Sequence, residues 1–146
     1  MMAQVKPFFE AKKMVMSDRE LLEFAAKANW FSELDDVSIR WGDTDQCILY
    51  INADNQDHNG LDREYRWNPL EDDGDALRLA VKLDIGMTSK KNHAYEKYTS
   101  VAVFNEGQSR ITEKHKLHSG DAEKATRYVI VRAAADIGKS MPEDSQ

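Results

Sequence analysis

Two kinds of hydrophobic periodicity alternate along this chain, and the alternation restricts the fold more than any other feature. Apolar residues recur with helical spacing in three segments and at every second position in the segments between them. The resulting order is helix, hairpin, helix, hairpin, helix. Because an antiparallel sheet must bury at least one face and amphipathic helices can cover it, we predict an α+β fold. Its expected form is an antiparallel sheet layered with helices, a helix/sheet/helix sandwich of order α-ββ-α-ββ-α.

The first helix has a clear start signal. Ser17 is followed three residues later by Glu20, which is the spacing of a capping box. We therefore predict a helix from about Asp18 to Asn29. Its apolar face would consist of Leu21, Phe24, Ala25 and Ala28.

The first hairpin is predicted from the alternation that follows this helix. Val37, Ile39 and Trp41 alternate with polar residues, and a second strand is expected at 46–52. The polar, turn-rich stretch 53–66 predicts a loop.

A crowded junction precedes the second helix. We expect Trp67 to pack on the sheet and Pro69 to hold the preceding residue outside helical geometry. Either Asp72 or Asp73 can cap the helix, and the other acids complement its positive N-terminal end. Gly74 in the first turn costs about 1 kcal/mol of helix propensity, which suggests tight packing there.

The later elements follow the same reasoning. The second helix is predicted to span about Asp73 to Ile85, with Gly86 closing it in a left-handed conformation. A second hairpin is predicted in 99–117, with one face of its return strand made of Ile111, Glu113, His115 and Leu117. The last helix would be capped by Ser119 or Asp121 and end before the polar tail.

Length and composition fit a single domain. The chain has 146 residues, of which 41% are hydrophobic and 32% charged. We expect residues 1–15 to be a poorly packed extension, 16–141 the domain and 142–146 a frayed tail. No apolar run is long enough for a membrane helix or a signal peptide, and the single cysteine, Cys47, lies in an apolar run. We therefore expect a soluble protein of a reducing cytoplasm with a buried, inert thiol.

The net charge of -6 is unevenly distributed. Residues 31–75 contain thirteen Asp or Glu and three Arg, whereas residues 76–119 contain eight Lys or Arg and four acids. An acidic section repels nucleic acid and attracts basic protein surfaces. Ordinary solvated loops and turns would explain the same composition.

No residue pattern predicts a metal or catalytic site. The stretch 55–66 partly matches a calcium-binding loop, but Arg66 occupies the position that needs a bidentate glutamate. His115 and His118 have no second cysteine or obvious carboxylate partner with which to bind zinc. The acids around Asp73 could suggest paired carboxylates, yet a helix start explains them. With no nucleophile or phosphate-loop motif either, we predict a non-enzymatic protein without cofactor or metal.

A basic and aromatic segment lies in and beside the second hairpin. It contains Lys90, Lys91, Lys97, Lys114 and Lys116, together with Tyr95, Tyr98 and Phe104. Such a mixture can bind single-stranded nucleic acid. A solvated sheet face explains the same residues, and the isoelectric point near 5.2 is acidic.

Three segments resemble one protein family. They are "MSDRELLEFAAKA" at 16–28, "WNPLEDDGDALRLAVKL" at 67–83 and "DAEKATRYVIVRAAADIGKSM" at 121–141. In this order they resemble small bacteriophage and prophage proteins built on the phage ABA-sandwich domain. The resemblance implies a helix/sheet/helix sandwich encoded by a phage or prophage. It implies no general activity and no catalytic residues.

Small non-enzymatic phage proteins often act by binding one host macromolecule, and this is the function that we predict. The partner would be a host protein or protein–nucleic-acid complex with a basic surface, met in the cytoplasm of the bacterial host and not at a membrane. An anti-defence inhibitor of the anti-CRISPR type is one form of this function. The predicted contact residues are Asp43, Asp45, Asp54, Asp57 and Asp62. The alternative is an accessory factor that binds nucleic acid through the basic second hairpin.

Overall fold

The computed structural model describes residues 16–31, 37–42, 47–56, 62–91, 95–103 and 109–142, with backbone only at 52–56, 62–63, 103 and 109–110. The predicted α+β class, with antiparallel strands layered against helices, is confirmed. The elements in chain order are α1 (Asp18–Trp30), β1 (Val37–Trp41), β2 (Ile48–Gln56), β3 (Asp62–Trp67), α2 (Asp73–Lys82), β4 (Ile85–Lys91), β5 (Lys97–Val103), β6 (Ser109–Lys114) and α3 (Ala122–Ser140), with a 3-10 turn at His115–His118.

The strands form two antiparallel meanders, sheet 1 in the order β1-β2-β3 and sheet 2 in the order β4-β5-β6. Each therefore has one strand more than the predicted hairpin. The loop predicted at 53–66 is wrong at both ends, because β2 continues to Gln56 and β3 begins at Asp62; residues 57–61 lie outside the described part of the chain. Asp and Asn are depleted in strands, so the polar end of β2 was a weak signal. In β3 only Tyr65 and Trp67 are apolar, and they alternate with charged residues.

The predicted first helix and its capping box are confirmed. The backbone N–H of Glu20 donates to Ser17 Oγ (3.2 Å), and the Ser17 N–H donates to Glu20 Oε1 (2.9 Å). Trp30, at the C-terminal end of α1, packs on the inner face of sheet 1. Its ring centroid lies 5.0 Å from that of Tyr50 and 4.9 Å from that of Trp67.

The opposite side of α1 meets α3 at close range. A Cβ added at Gly138 would overlap the carbonyl oxygen of Phe24, lie 2.8 Å from its carbonyl carbon and lie 3.3 Å from the Ala28 nitrogen. With 3.6 residues per turn, Phe24 and Ala28 lie opposite the α1 residues Ala26 and Trp30, which face sheet 1. Glycine is required here so that the two helix backbones can approach each other.

The far side of α3 packs on sheet 2. Its Thr126 Oγ1 lies 3.0 Å from Thr99 Oγ1 on β5, and Arg132 Nη1 donates to Glu113 Oε1 on β6 (2.8 Å). Val129, which lies between these two positions on the helix, is fully buried. The layers are therefore stacked in the order sheet 1, α1, α3, sheet 2, and one face of each sheet points outward. The predicted sandwich had one sheet between helices, whereas here two helices lie between two sheets.

The junction before α2 combines buried residues with a side chain that caps the helix. Trp67 and Pro69 are buried, and Asp72 caps the helix by accepting from the Asp75 N–H (2.8 Å). A Cβ at Gly74 would lie 3.2 Å from Asp72 Oδ2 and from Arg78 Nη2. The close packing around Gly74 therefore involves the ends of exposed, flexible side chains and not the core.

The predicted C-terminal end of the second helix is wrong. The helix ends at Lys82, and the left-handed residue is Asp84 with φ 56°. Gly86 does not close the helix, because it lies inside β4. Aspartate tolerates the left-handed region better than most residues, which allows the chain to turn directly into a strand there.

The return strand of the second hairpin is shorter than predicted. β6 ends at Lys114, so Leu117 lies in the 3-10 turn and is 65% exposed instead of lining the sheet. Ser119 has a left-handed φ of 59° after this turn. Of the two predicted caps of the last helix, Asp121 is the one that accepts from the Lys124 N–H (3.0 Å).

Candidate nucleic-acid interface

The outward face of sheet 2 carries lysines arranged around a tyrosine. Lys90 of β4 pairs in register with Tyr98 of β5, and Tyr98 pairs with Lys114 of β6. Paired residues of an antiparallel sheet project from the same face. Neighbouring strands are about 4.8 Å apart, so the tyrosine has a cation on each side along one row. Both lysines are exposed and Tyr98 is half-buried.

Polar groups and a further cation surround this row. The next row across the sheet is Thr88, Ser100 and Thr112; Ser100 is buried, whereas Thr88 and Thr112 are exposed and add two hydroxyl groups to the same face. Lys116 is exposed beside the row, and Tyr95 is 82% exposed at a residue with φ 62°. Lys97 is also exposed, but it directly precedes Tyr98 in β5 and therefore projects from the opposite face of the sheet. We call the surface formed by Lys90, Tyr95, Tyr98, Lys114 and Lys116 the basic face.

One carboxylate organises two of these lysines. Glu96 Oε2 lies 2.7 Å from Lys116 Nζ, and Glu96 Oε1 lies 3.6 Å from Lys114 Nζ. Because exposed ion pairs contribute little to stability, their main effect is to hold the two ammonium groups near each other. The basic face retains a surplus of positive charge.

A second polar cluster lies on the inner side of sheet 2. His115 Nε2 lies 2.8 Å from Thr99 Oγ1, and His118 Nε2 lies 2.7 Å from Glu113 Oε2. Glu113 also accepts from Arg132 of α3, and Thr99, Glu113 and His115 are all buried. The side chains of this cluster bind one another and attach α3 to the sheet, which is a structural role.

The two histidines do not converge. Each has its Nε2 on a different partner, so they do not share a ligand position. Within the described ranges, no three His, Cys, Asp or Glu side chains are placed to hold a metal ion. Of the partial calcium-loop match at 55–66, residues 57–61 lie outside the described residues and 62–66 belong to β3.

The acids at the start of α2 are engaged in structure. Asp72 caps the helix, and Asp73 Oδ1 accepts from Arg127 Nη1 of α3 (2.6 Å). Asp75 is buried and accepts from the backbone N–H of Asn68 (2.9 Å) and from Arg78 (2.8 Å). Burial raises the pKa of the Tyr50 phenol above its ordinary value of 10.0, and the nearby negative charge of Asp75 adds a smaller effect in the same direction.

Most of the predicted acidic contact residues are outside the described part of the chain. Asp43, Asp45 and Asp57 are not described. Asp54 lies in β2 and Asp62 in β3, where the backbone alone is described. Phe104, predicted beside the basic hairpin, is also outside the described residues.

The lysines of the basic face could be identified from the sequence, but their arrangement on the sheet could not. The missing element was β4, since Lys90 meets Tyr98 only if residues 85–91 form a strand. The alternation of Ile85, Met87 and Ser89 with Gly86, Thr88 and Lys90 was the available signal. It was weak because a glycine next to a helix end resembles a helix stop.

Comparisons with protein-family models, curated proteins and solved structures found no match to this chain. Across the described residues, no helix combines the length and the apolar character needed to cross a membrane. The thiol of Cys47 is buried, which confirms the predicted burial.

Proposed function

We propose that this chain is a non-enzymatic binding protein whose basic face binds single-stranded nucleic acid. The observation that carries the proposal is the row formed by Lys90, Tyr98 and Lys114 on three adjacent strands. An aromatic ring on an open sheet can stack with a base, while cations beside it bind the phosphates. Every base has a flat face, so this arrangement binds with little sequence preference.

The single-stranded form is favoured over the duplex for a steric reason. Stacking on Tyr98 requires an unpaired base, and a broad sheet face does not enter a groove of a double helix. The overall charge of -6 does not oppose this binding, since the acids are concentrated in residues 31–75 and the basic face lies in residues 76–119. Attraction would be local and strongly dependent on salt.

Fluorescence anisotropy with labelled single-stranded DNA and RNA at low salt tests the proposal. Replacing Lys90 and Lys114 together by glutamine should weaken binding. It should also reduce the slope of log affinity against log salt by about 1.4, because each phosphate contact contributes about 0.7. Tyr98→Leu keeps an apolar side chain but removes the ring, and should cost about 1–3 kcal/mol of binding.

The matched control replaces Lys124 and Lys139, two exposed lysines of α3, by glutamine. This variant changes the net charge by the same amount and should bind like the parent protein. If the parent protein binds neither single-stranded DNA nor single-stranded RNA at low salt, or if both double variants lose equal affinity, the basic face is not a nucleic-acid-binding site.

A second candidate function rests on the thirteen acids and three arginines in residues 31–75. In this proposal the protein is a phage-encoded accessory factor whose acidic section contacts a basic host protein or protein–nucleic-acid complex, as an anti-defence inhibitor would. Charge attraction would make association fast and sensitive to salt. Acidic residues at Asp43, Asp45, Asp54, Asp57 and Asp62 would form the contact.

Affinity purification from the natural host, followed by mass spectrometry, tests this second proposal. Reversing the five aspartates to lysine should abolish capture of the partner while the melting temperature stays nearly unchanged. Capture that survives the reversal would rule out the acidic contact.

A further inference from the structure

Strand β4 lies at an edge of sheet 2. Among the described residues it pairs only with β5, so one side of its backbone has no strand beside it. An open edge strand is a template for pairing with another strand. β4 has seven residues, long enough for a regular ladder, and contains no proline.

Exposed apolar side chains are concentrated next to this edge. Met87 of β4 is 41% exposed, and Leu77 and Val81 of α2 are 56% and 68% exposed. Leu77 and Val81 are one helical turn apart on the same face of α2. Leu77 and Met87 also line a groove of about 410 Å³ between α2, α3 and β4. Exposed apolar side chains that share a groove in this way commonly mark an interface.

We propose that β4 pairs antiparallel with β4 of a second copy of this chain, which joins two copies of sheet 2 into one six-stranded sheet. Full overlap of the two strands centres the pairing on Thr88. Gly86 of one copy then lies opposite Lys90 of the other, and Met87 lies opposite Ser89. Leu77 and Val81 lie on either side of the new seam, where they lose contact with water.

The charges of the strand fit this register. Lys90 and Lys91 both lie at the C-terminal end of β4, so an antiparallel pair keeps the lysines of the two copies at opposite ends. Lys91 of each copy lies opposite Ile85 of the other and is therefore next to Asp84, the residue that precedes that strand. A parallel pair would instead place the lysines side by side, where like charges repel.

The joined sheet would have a functional consequence. Residues paired across the seam project from the same side, so the basic faces of the two copies become continuous. The proposed dimer depends only on the edge strand and its flanking residues, whether or not the basic face binds nucleic acid.

Sedimentation equilibrium over a wide range of protein concentration tests the dimer. We expect a mass that rises from 16.7 kDa toward twice that value. Leu77→Glu should shift the protein to monomer. Leu117→Glu, at a residue of similar exposure in the 3-10 turn, should leave the dimer unchanged. Circular dichroism and the melting temperature establish that both variants are folded.

A charge exchange tests the register itself. Lys91→Glu and Asp84→Lys should each weaken the dimer at least about tenfold, since each places like charges together twice. Mixing the two variants should restore association, because both contacts are then between opposite charges. A parent protein that stays monomeric at every concentration, or a dimer unaffected by Leu77→Glu, overturns the proposal. A mixture that fails to associate overturns the antiparallel register.

Discussion

Replacing Gly138 by alanine should destabilise the protein, although alanine is the better helix former. The new Cβ would overlap the carbonyl oxygen of Phe24 and lie 2.8 Å from its carbon. These are backbone atoms of α1, so no side-chain rotation can relieve the overlap. α1 and α3 would have to move apart at their closest approach, where Ala25, Ala28 and Ala134 are buried.

The magnitude follows from two opposing effects. Alanine gains about 1 kcal/mol over glycine inside a helix. Overpacking of a well-filled core costs about 1–3 kcal/mol, and a clash with backbone belongs at or above the upper end. We expect a net loss of about 2 kcal/mol, which lowers the melting temperature of a chain of this size by roughly 4–8 °C.

Gly74→Ala is the matched comparison. A Cβ there would meet Arg78, whose side chain is 73% exposed and can shift, and Asp72 Oδ2, which accepts the capping hydrogen bond and need move by only a few tenths of an ångström. We expect a gain of a few tenths to about 1 kcal/mol. Thermal unfolding followed by circular dichroism measures both variants. If Gly138→Ala is as stable as the parent protein, the close approach of α1 and α3 described above is incorrect.

Three further predictions concern caps, a buried carboxylate and titration. Ser17→Ala should lose about 1 kcal/mol in urea denaturation, because it removes the acceptor of the capping box; an unchanged midpoint would show that the cap is not formed. Glu113→Gln should lose about 1–2 kcal/mol of unfolding free energy, because a neutral amide with one acceptor oxygen replaces the buried carboxylate that His118 and Arg132 contact; a variant as stable as the parent protein would contradict the assigned role. Burial, the largest cause in both cases, raises the pKa of the phenols of Tyr50 and Tyr128 above 10.0. Folding therefore favours their protonated forms. The resulting contribution to the free energy of unfolding is complete below pH 10 and is lost as the pH rises through the folded-state pKa. Replacing both tyrosines by phenylalanine should flatten the loss of melting temperature above pH 10.

Sequence alone predicted the elements whose signals are local. The capping box at Ser17 and the helical spacing behind it gave α1 to within one residue. The acidic junction gave the start of α2, because a capping side chain and a helix dipole act over one turn. These elements do not depend on which part of the chain packs against them.

Elements that depend on distant contacts were missed. β3 forms because Tyr65 stacks on Tyr50 at 5.5 Å and Trp67 packs on Trp30, partners that lie up to 37 positions away in the numbering. β4 forms because β5 pairs with it over its whole length. The same limit applies to the basic face, whose central row requires three strands, and to Glu113, whose partner Arg132 lies on the next helix.

The order of pairing in the sheets has a consequence for synthesis of the chain. Every strand pairs with a neighbour in sequence, so each meander can form while later residues are still being translated. The tightest contact between helices, however, joins Phe24 to Gly138, near the two ends of the described chain. Sheet 1 can be covered early by α1, but the inner face of sheet 2 and the side of α1 away from sheet 1 remain uncovered until α3 leaves the ribosome. A ribosome that stalls before the last helix would hold a chain with these apolar surfaces open, a form in which chaperone binding or aggregation competes with folding.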